Sequence, residues 1–252
     1  MPGALSRLLR SFGRRTGILQ VRCPACGVPA PADRADGLCP GCAAALAPRE
    51  GGFCPGCGAM FGLESYEPAL CGDCRAAPPP WGRFIFHARY DDPLRGLIIA
   101  FKYNAGLEHS ALLRSMAASA WERAVNQPSE FAPPPRRPDL VAPVPLHGKR
   151  LLWRGFNQSL ELASAVAARA GAPLEPAALQ RLRDTRPQST LSGSERLTNL
   201  HGAFEADAAL VGGKRALLVD DVCTTGSTLR ECAKSLLEAG AKAVDVLVLA
   251  RA

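Results

Sequence analysis

Apolar and polar residues follow two different patterns along the chain, and the pattern changes at three consecutive prolines, Pro78 to Pro80. Beyond the prolines, short apolar runs typical of buried strands alternate with longer segments whose apolar residues recur at helical spacing. The predicted strands are Phe84 to Tyr90, Leu140 to Val144, Ala216 to Val219 and Ala243 to Leu249. Strands that alternate with helices predict an α/β fold, in which helices wrap a mostly parallel sheet.

Helix start and stop signals lie between these strands. Asp92 followed by Pro93 predicts a helix start, because an acid caps well and proline fits the first turn. Gly171 and Gly240 are placed to end two further helices. The predicted helices are about Asp92 to Tyr103, Leu107 to Val125, Gln158 to Arg169 and Ser227 to Ala239. The segment from 127 to 138 contains five prolines and is predicted as a connector.

Residues 21 to 77 show almost no periodic apolar pattern and are rich in cysteine, proline, glycine and alanine. Apolar burial alone is therefore not expected to fold this region. Three consecutive prolines hold a stiff, extended backbone, so we predict a domain boundary there that keeps two cores apart. The expected organisation is a basic segment over 1–20, a small domain over 21–80 and an α/β domain over 81–252.

Composition and length narrow the class of protein. The chain has 252 residues, 47% hydrophobic and 21% charged, which suits a soluble protein of one large or two smaller domains. Its longest apolar run, Ala243 to Ala250, is interrupted by Asp245 and is far shorter than the ~18 residues of a membrane span. The first residues lack the apolar core and cleavage site of a secretory signal, so we expect a cytoplasmic protein without a membrane span.

Eight of the ten cysteines form four pairs, each with two residues between its members. The pairs are Cys23 and Cys26, Cys39 and Cys42, Cys54 and Cys57, and Cys71 and Cys74. This spacing lets both thiolates of a pair face one metal ion, and two pairs complete a tetrahedral zinc site. Joining neighbouring pairs is the simplest arrangement and predicts two structural zinc ions. Disulfide or redox pairs are the alternative, which a reducing cytoplasm disfavours.

The formal net charge of +7 favours polyanionic partners, such as phosphorylated metabolites or nucleic acid, without deciding between them. Residues 1–80 carry +2 of this charge, as eight Lys and Arg against six Asp and Glu. Two zinc ions on eight thiolates would add a formal −4 and make this region negative. Charge alone therefore gives no reason to expect that the cysteine-rich region binds nucleic acid.

The most specific stretch is Ala216 to Leu229, where an apolar strand is followed by two acids, a hydroxyl-rich turn and a helix. The strand leaves Asp220 and Asp221 at its carboxyl end, which is where ligands bind in open α/β sheets. The turn offers backbone N–H groups, hydroxyls and a helix N-terminus to one anion, as phosphate-binding loops do. No lysine follows Gly226, so the turn is not a Walker A loop. A capped helix after an ordinary strand is the plain alternative.

This stretch resembles the motif with which type I phosphoribosyltransferases bind 5-phosphoribosyl 1-pyrophosphate (PRPP). The resemblance implies that Asp220 and Asp221 are the catalytic acids and bind the ribose hydroxyls, directly or through hydrated Mg²⁺. It also implies that the turn holds PRPP and its 5-phosphate. The implied PRPP-binding residues of the turn are Val222, Cys223, Thr224, Thr225, Gly226, Ser227 and Thr228.

A second segment, after the strand that is predicted to end at Val144, resembles the pyrophosphate loop of the same enzymes. The PRPP-binding residues that it implies are Lys149, Arg150 and Arg154. A region similar to the mobile hood and catalytic loop contains Arg183 to Gln188, Leu191, Ser192, Arg196 and Asn199. For Lys102, Arg196 and Asn199, a solvated charge or a local cap is an equally good interpretation.

Together with the cysteine pairs, these motifs make the chain after residue 20 similar to the ComF family, competence-associated proteins with a double zinc ribbon and a type I phosphoribosyltransferase domain. The resemblance implies an enzyme that displaces pyrophosphate from PRPP with Mg²⁺ and is linked to DNA uptake in natural transformation. The alternative is a non-catalytic factor that handles single-stranded DNA and takes PRPP as a regulatory ligand. The implied partners are PRPP, single-stranded DNA and competence-machinery proteins. The acceptor is not readable from the sequence, and a homodimer is left open.

Overall fold

The computed structural model describes residues 21–31, 34, 36–103, 107–126, 134–183 and 202–252. The predicted basic segment 1–20 lies outside the described residues, and so do residues 184–199 of the predicted catalytic-loop region. The chain divides into a small unit, Met1–Ala47, and a larger unit, Pro48–Ala252. The domain bounds expected from the sequence, with a boundary near residue 80, stay predictions.

In the small unit, β1 (Val21–Arg22) pairs antiparallel with β2 (Pro29–Ala30), and the short helix α1 (Pro40–Ala45) follows. Cys39 caps α1, because its sulfur accepts the N–H of Cys42. Elements as short as these bury little apolar surface, so a bound metal is needed to hold them in place.

The larger unit begins with a second cysteine-rich segment that contains α2 (Gly72–Ala76). Its strands are β3 (Phe84–Arg89), β4 (Leu140–Pro143), β5 (Leu179–Arg181), β6 (Phe204–Ala206), β7 (Arg215–Cys223) and β8 (Ala243–Arg251). Its other helices are α3 (Leu94–Tyr103), α4 (Ser110–Asn126), α5 (Gly148–Arg154), α6 (Gln158–Ala170), α7 (Ala208–Val211) and α8 (Ser227–Glu238). Short 3₁₀ helices cover Leu107–His109 and Pro176–Ala178. Within the described residues, none of the helices is long and apolar enough to cross a membrane.

Four strands form one parallel sheet in the order β3-β8-β7-β4. Most side chains of the central strands β7 and β8 are buried. β7 pairs with β4 from Ala216 opposite Leu140 to Val219 opposite Pro143. Because the strands are parallel, the chain leaves β4 and β7 as neighbours at the same edge of the sheet. A separate antiparallel pair joins β5 to β6.

Helices cover both faces of the sheet. Alternate residues of β7, such as Ala216 and Leu218, share a buried cluster with Leu229 and Leu236 of α8. The intervening side chains point to the opposite face, where α4 packs on β3 and β8 and α6 packs on β4 and β7. The predicted α/β class is therefore confirmed.

The predicted strands and long helices are present, with shifts of a few residues at their ends. β7 continues to Cys223, so Asp220 and Asp221 lie in its final part and not beyond it. α5 is a helix where the sequence predicted a loop. None of its residues is buried, so it has no apolar stripe that a periodicity search could find. The β5–β6 pair was also missed, because three-residue strands are too short to show an alternating pattern.

The second cysteine-rich segment packs on the sheet. The rings of Phe53 and Phe86 meet edge to face, with their centroids 4.9 Å apart. Trp81 Nε1 donates a hydrogen bond to the carbonyl oxygen of Gly56 at 2.7 Å. The expectation that the three prolines keep two cores apart is therefore wrong for this segment. A segment with little apolar surface of its own gains burial by packing against β3.

Replacing Gly58 with alanine is expected to weaken this packing. Gly58 has a φ of +70°, and a Cβ there would lie 2.5 Å from Cε1 of Phe84. Backbone strain and overlap together should lower the free energy of unfolding of the larger unit by about 2–4 kcal/mol in chemical denaturation. Gly213→Ala is the matched control, because Gly213 lies in the same unit and has the same φ of +70°, but a Cβ there meets nothing within 4 Å. Equal losses in the two variants would contradict the packing.

Candidate functional site

The eight paired cysteines form two tetrads. They are Cys23, Cys26, Cys39 and Cys42 in the small unit, and Cys54, Cys57, Cys71 and Cys74 in the larger unit. Within each tetrad the four sulfur atoms lie within 4.8 Å of one another. The Cys26–Cys39 and Cys57–Cys71 sulfur distances are both 3.8 Å. This is the edge length of a tetrahedron whose centre lies ~2.3 Å from each sulfur, which is the zinc–thiolate distance. The residues therefore fit two zinc ions, with neighbouring pairs joined as predicted.

The same local turn builds both tetrads. In Cys23–Val28 and in Cys54–Ala59, the first N–H donates to the last carbonyl at 2.8 Å. The glycine in fifth place donates back to the first carbonyl, at 2.8 Å in one turn and 2.7 Å in the other. The third cysteine of each tetrad, Cys39 or Cys71, is the N-cap of a short helix. The chain thus contains a double zinc ribbon, and four thiolates per ion leave no open position for catalysis.

The predicted acid pair lies at the carboxyl end of β7, beside the first turn of α6. Ser159 Oγ donates to Asp220 Oδ1 at 2.7 Å, and the N–H of Asp221 donates to the same oxygen at 2.9 Å. Burial, together with the charge of Asp221, raises the pKa of Asp220 to about 7. At neutral pH this carboxyl is therefore balanced between its two forms, and a cation beside it would favour the ionised form.

Asp221 is 4% exposed and forms an ion pair with Lys102, with Nζ 2.8 Å from Oδ1. Burial opposes the charge of Lys102, but the ion pair with Asp221 outweighs it, so the pKa of the lysine is raised. The other carboxylate oxygen of Asp221, Oδ2, is buried and has no hydrogen-bond partner among the described residues. A buried carboxylate oxygen without a partner is unfavourable, and it suits a hydroxyl donor or a divalent cation.

The turn after β7, residues 222–228, brings together the predicted anion-binding groups. Gly226 has a left-handed backbone with a φ of 76° and is the N-cap of α8, where it has no side chain to cap the first N–H groups. The hydroxyl oxygens of Thr225 and Ser227 lie 2.9 Å apart. Thr224 and Thr225 are exposed. The N–H of Ser227 lies 3.4 Å from Thr225 Oγ1. A helix N-terminus that begins at glycine, with hydroxyls beside it, suits an anion of the size of a phosphate.

The remaining predicted residues of this turn have different surroundings. Val222 and Cys223 are the last residues of β7. Cys223 is 4% exposed, and burial raises the pKa of its thiol to about 12, so this thiol is a packed and unreactive group. Thr228 lies in the first turn of α8, two residues after the N-cap Gly226.

The predicted basic residues Lys149, Arg150 and Arg154 all lie on α5, the helix that follows β4. Lys149 is exposed and Arg150 is half-buried. Arg154 donates to Gln158 Oε1 at 2.7 Å, and its Cζ lies 5.1 Å from the ring centroid of Tyr103. Because β4 and β7 are neighbours, α5 starts at the same edge of the sheet as the acid pair.

Two residues of the site could not be assigned from the sequence. Ser159 is 1% exposed and holds Asp220, but in the sequence it is one more polar residue at a helix start. For Lys102 the sequence does not distinguish a ligand contact from a solvated charge, because its ion pair with Asp221 depends on where α3 ends relative to β7. Arg183 is exposed, and the rest of the predicted hood and catalytic loop lies outside the described residues.

Comparison with known proteins agrees with this geometry. Residues 157–252 match a phosphoribosyl transferase domain, and residues 17–75 match a double zinc ribbon domain. Fold and sites thus define a protein with a double zinc ribbon followed by a phosphoribosyltransferase domain.

Relatives extend the match over most of the chain. DNA utilization protein YhgH of Salmonella typhi is 37% identical over 191 residues, which are 75% of this chain and 82% of that protein. Competence protein F of Haemophilus influenzae is 32% identical over 184 residues, 72% of this chain and 78% of that protein. The chain belongs to the ComF family. Among solved structures, PRPP amidotransferase from B. subtilis is 26% identical over 52% of this chain and 26% of its own, with a TM-score of 0.34, which adds nothing to the assignment.

We expect the purified chain to carry two zinc ions. Cys26→Ser and Cys57→Ser should each retain one, because each variant breaks one tetrad and leaves the other intact. Elemental analysis of protein purified under reducing conditions measures the content. A wild-type chain with fewer than two ions, or a single variant that loses both, would show that the tetrads are not two independent zinc sites.

Proposed function

We propose that the larger unit binds PRPP with Mg²⁺ where β4 and β7 end, and transfers its phosphoribosyl group to an acceptor with release of pyrophosphate. The observation that carries the proposal is the order of groups at the end of β7. Two acids, Asp220 and Asp221, are followed within a few residues by a hydroxyl-rich turn and by the N-terminus of α8 at Gly226. A ribose 5-phosphate needs both kinds of group, because its hydroxyls require acceptors and its phosphate requires N–H donors.

The acid pair is the part of the site that would bind the ribose hydroxyls, directly or through Mg²⁺. Asp221 Oδ2 offers a buried acceptor without a described partner. Lys102 neutralises one of the two negative charges, so the acid pair with its lysine carries a net charge of about −1 when both acids are ionised. A hydrated cation or two hydroxyl donors that bind there would offset the remaining repulsion between the two carboxylates.

The 222–228 turn would hold the 5-phosphate. α8 begins after Gly226, which has no side chain to cap the helix, and the hydroxyl oxygens of Thr225 and Ser227 lie 2.9 Å apart beside it. A phosphate dianion gains hydrogen bonds there together with the favourable end of the helix dipole. No metal is required for this part of the binding.

In the proposed reaction, the bond between ribose C1 and the pyrophosphate oxygen breaks, and its electron pair leaves with pyrophosphate. The acceptor's nucleophile forms the new bond to C1. Bound Mg²⁺ would supply Lewis-acid stabilisation of the leaving oxygens. Lys149 and Arg150 stand on the helix that starts at this edge of the sheet, where their charges would stabilise the departing pyrophosphate.

Removing one acid should remove the magnesium-dependent part of PRPP binding. Asp220→Asn and Asp221→Asn are nearly isosteric, and each is expected to lower PRPP affinity at least about 10-fold with Mg²⁺ present, as for the loss of a contact to a charged group. Calorimetry at several Mg²⁺ concentrations measures the effect. Asp91→Asn, at an exposed acid, is the control. Wild-type affinity and magnesium dependence in both site variants would refute the site.

The pKa of Asp220 gives this test a pH signature. Its raised pKa of about 7 means that the carboxyl gains a proton as the pH falls from 8 to 6, so magnesium-dependent affinity should fall with it. Asp220→Asn should lack this change. The variant should also be more stable than wild type at pH 8, because a carboxyl whose pKa is raised by folding destabilises the folded state once it ionises.

A second candidate function, the handling of single-stranded DNA, is favoured by the surface beside the basic residues. Trp153 is 73% exposed and Leu152 is 86% exposed, both on α5. The rings of Trp153 and Tyr103 have centroids 5.8 Å apart. Aromatic rings beside lysine and arginine are what proteins use to stack single-stranded bases. The names of the relatives, competence protein and DNA utilization protein, support a link to DNA uptake and its machinery.

Trp153→Ala is expected to weaken single-stranded DNA binding about 10-fold, because one stacked base contributes ~1–3 kcal/mol. PRPP affinity should not change. Fluorescence anisotropy with a labelled oligothymidylate measures the first quantity and calorimetry the second. Leu63→Ala, also an exposed apolar residue, is the control. Wild-type chain that leaves the oligonucleotide unbound at low salt would eliminate this function.

A further inference from the structure

Two side chains that donate hydrogen bonds to backbone carbonyls at the second zinc site also contact the 222–228 turn. The segment Cys54–Gly58, the second knuckle, contains the first two cysteine ligands of this site. Its carbonyl groups accept from Trp81 and from Arg251. Both side chains lie outside the cysteine-rich segment, in the α/β part of the larger unit, so two hydrogen bonds join the knuckle to that part.

Arg251 is the last residue of β8, and its guanidinium makes the first connection. Nε donates to the carbonyl oxygen of Cys57 at 2.9 Å. Nη1 donates to the carbonyl oxygens of Cys223, at 3.2 Å, and of Thr224. One planar group therefore joins a zinc ligand residue to the start of the 222–228 turn. Because the donor directions of a guanidinium are fixed relative to one another, a shift at Cys57 turns the donors that hold the turn.

Trp81 makes the second connection. Its Nε1 donates to the carbonyl oxygen of Gly56 at 2.7 Å. The far side of its indole lies under the N-cap of α8, since a Cβ on Gly226 would be 3.9 Å from Trp81 Cη2. Arg230, in the first turns of α8, places its Cζ 5.4 Å from the ring centroid. The indole is 8% exposed and thus packed between the knuckle and the helix N-terminus.

We propose that zinc at the second site holds the 222–228 turn in its anion-binding conformation through Arg251 and Trp81, so that loss of this ion weakens PRPP binding. The proposal rests on the proposed function for its ligand. Zinc fixes the knuckle, because a segment this short does not keep its shape without the metal–thiolate bonds. Once the knuckle moves, the carbonyls of Gly56 and Cys57 no longer accept hydrogen bonds from Trp81 and Arg251. The turn then loses two restraints where its N–H groups must converge on one phosphate.

The two ribbons provide a matched pair of variants. Cys57→Ser and Cys26→Ser each remove the second ligand of a knuckle with the same turn. Cys57→Ser is expected to lower PRPP affinity about 10- to 100-fold, the size of effect for losing hydrogen bonds to a charged group. It should also speed hydrogen exchange of the amides from 224 to 228. Cys26→Ser should change neither quantity. Calorimetry with PRPP and Mg²⁺, and hydrogen exchange read by mass spectrometry, are the measurements.

Variants of the connecting residues separate this coupling from loss of the fold. Arg251→Ala and Trp81→Phe leave all eight cysteines in place, and elemental analysis should still find two zinc ions. Both variants should show faster exchange in the turn and weaker PRPP binding, whereas Arg89→Ala, at an exposed arginine, should not. In the Cys57→Ser, Arg251→Ala double variant the losses should be less than additive, because both changes break the same connection.

The outcomes distinguish this proposal from the proposed function. If wild type does not bind PRPP, the proposed function fails, and hydrogen exchange in the turn still decides the coupling. If Cys57→Ser does not fold, Arg251→Ala and Trp81→Phe carry the test. The coupling is overturned if turn exchange and PRPP affinity stay at wild-type values in these two variants. It is also overturned if Cys26→Ser has the same effect as Cys57→Ser.

Discussion

The parallel pairing of β7 between β4 and β8 is the constraint on which the larger unit depends. The pairing stops on the β4 side at Val219 opposite Pro143, one residue before the acid pair. On the other side it continues, with Asp220 opposite Val248. A slip of one residue would exchange the directions of Asp220 and Asp221 and remove both from their partners. The buried apolar residues of β7 prevent such a slip, because it would move the core face of the strand away from α8.

Placing two carboxylates next to each other at this position is unfavourable by itself, and the structure offsets the repulsion in two ways. Asp221 faces an ammonium group, and its pair with Lys102 is almost fully buried. Asp220 instead receives a neutral hydroxyl from Ser159 and has a raised pKa. The two acids therefore have different partners, an ammonium group for Asp221 and a hydroxyl group for Asp220. A cation or a diol that approaches them completes an arrangement that the protein alone leaves unbalanced.

Sequence reasoning succeeded where the signal is local. The cysteine spacing and the apolar run of β7 each lie within a few residues, so the two tetrads and the central strand can be predicted directly, whereas the anion-binding role of the hydroxyl-rich turn stays a prediction. It failed for residues that are far apart in the sequence and meet only in the folded chain. Lys102 and Ser159 reach the acid pair from two different helices. Trp81 and Arg251 are single residues without a motif, and nothing local indicates that both bind the carbonyls of one knuckle. α5 escaped detection because it has no buried face.

Because the Arg251 guanidinium contacts both the second knuckle and the 222–228 turn, any coupling between zinc binding and anion binding must act in both directions. If an ion at the second tetrad strengthens anion binding at the turn, then an anion at the turn must strengthen retention of the ion by the same factor. The zinc ion and the anion would not touch, but one coupling free energy would relate their affinities. The Arg251 side chain would provide the coupling, because it donates to the carbonyl oxygens of Cys57, Cys223 and Thr224. A chelator that removes this zinc ion would then also weaken anion binding at the turn, and a bound anion would make the zinc ion harder to remove.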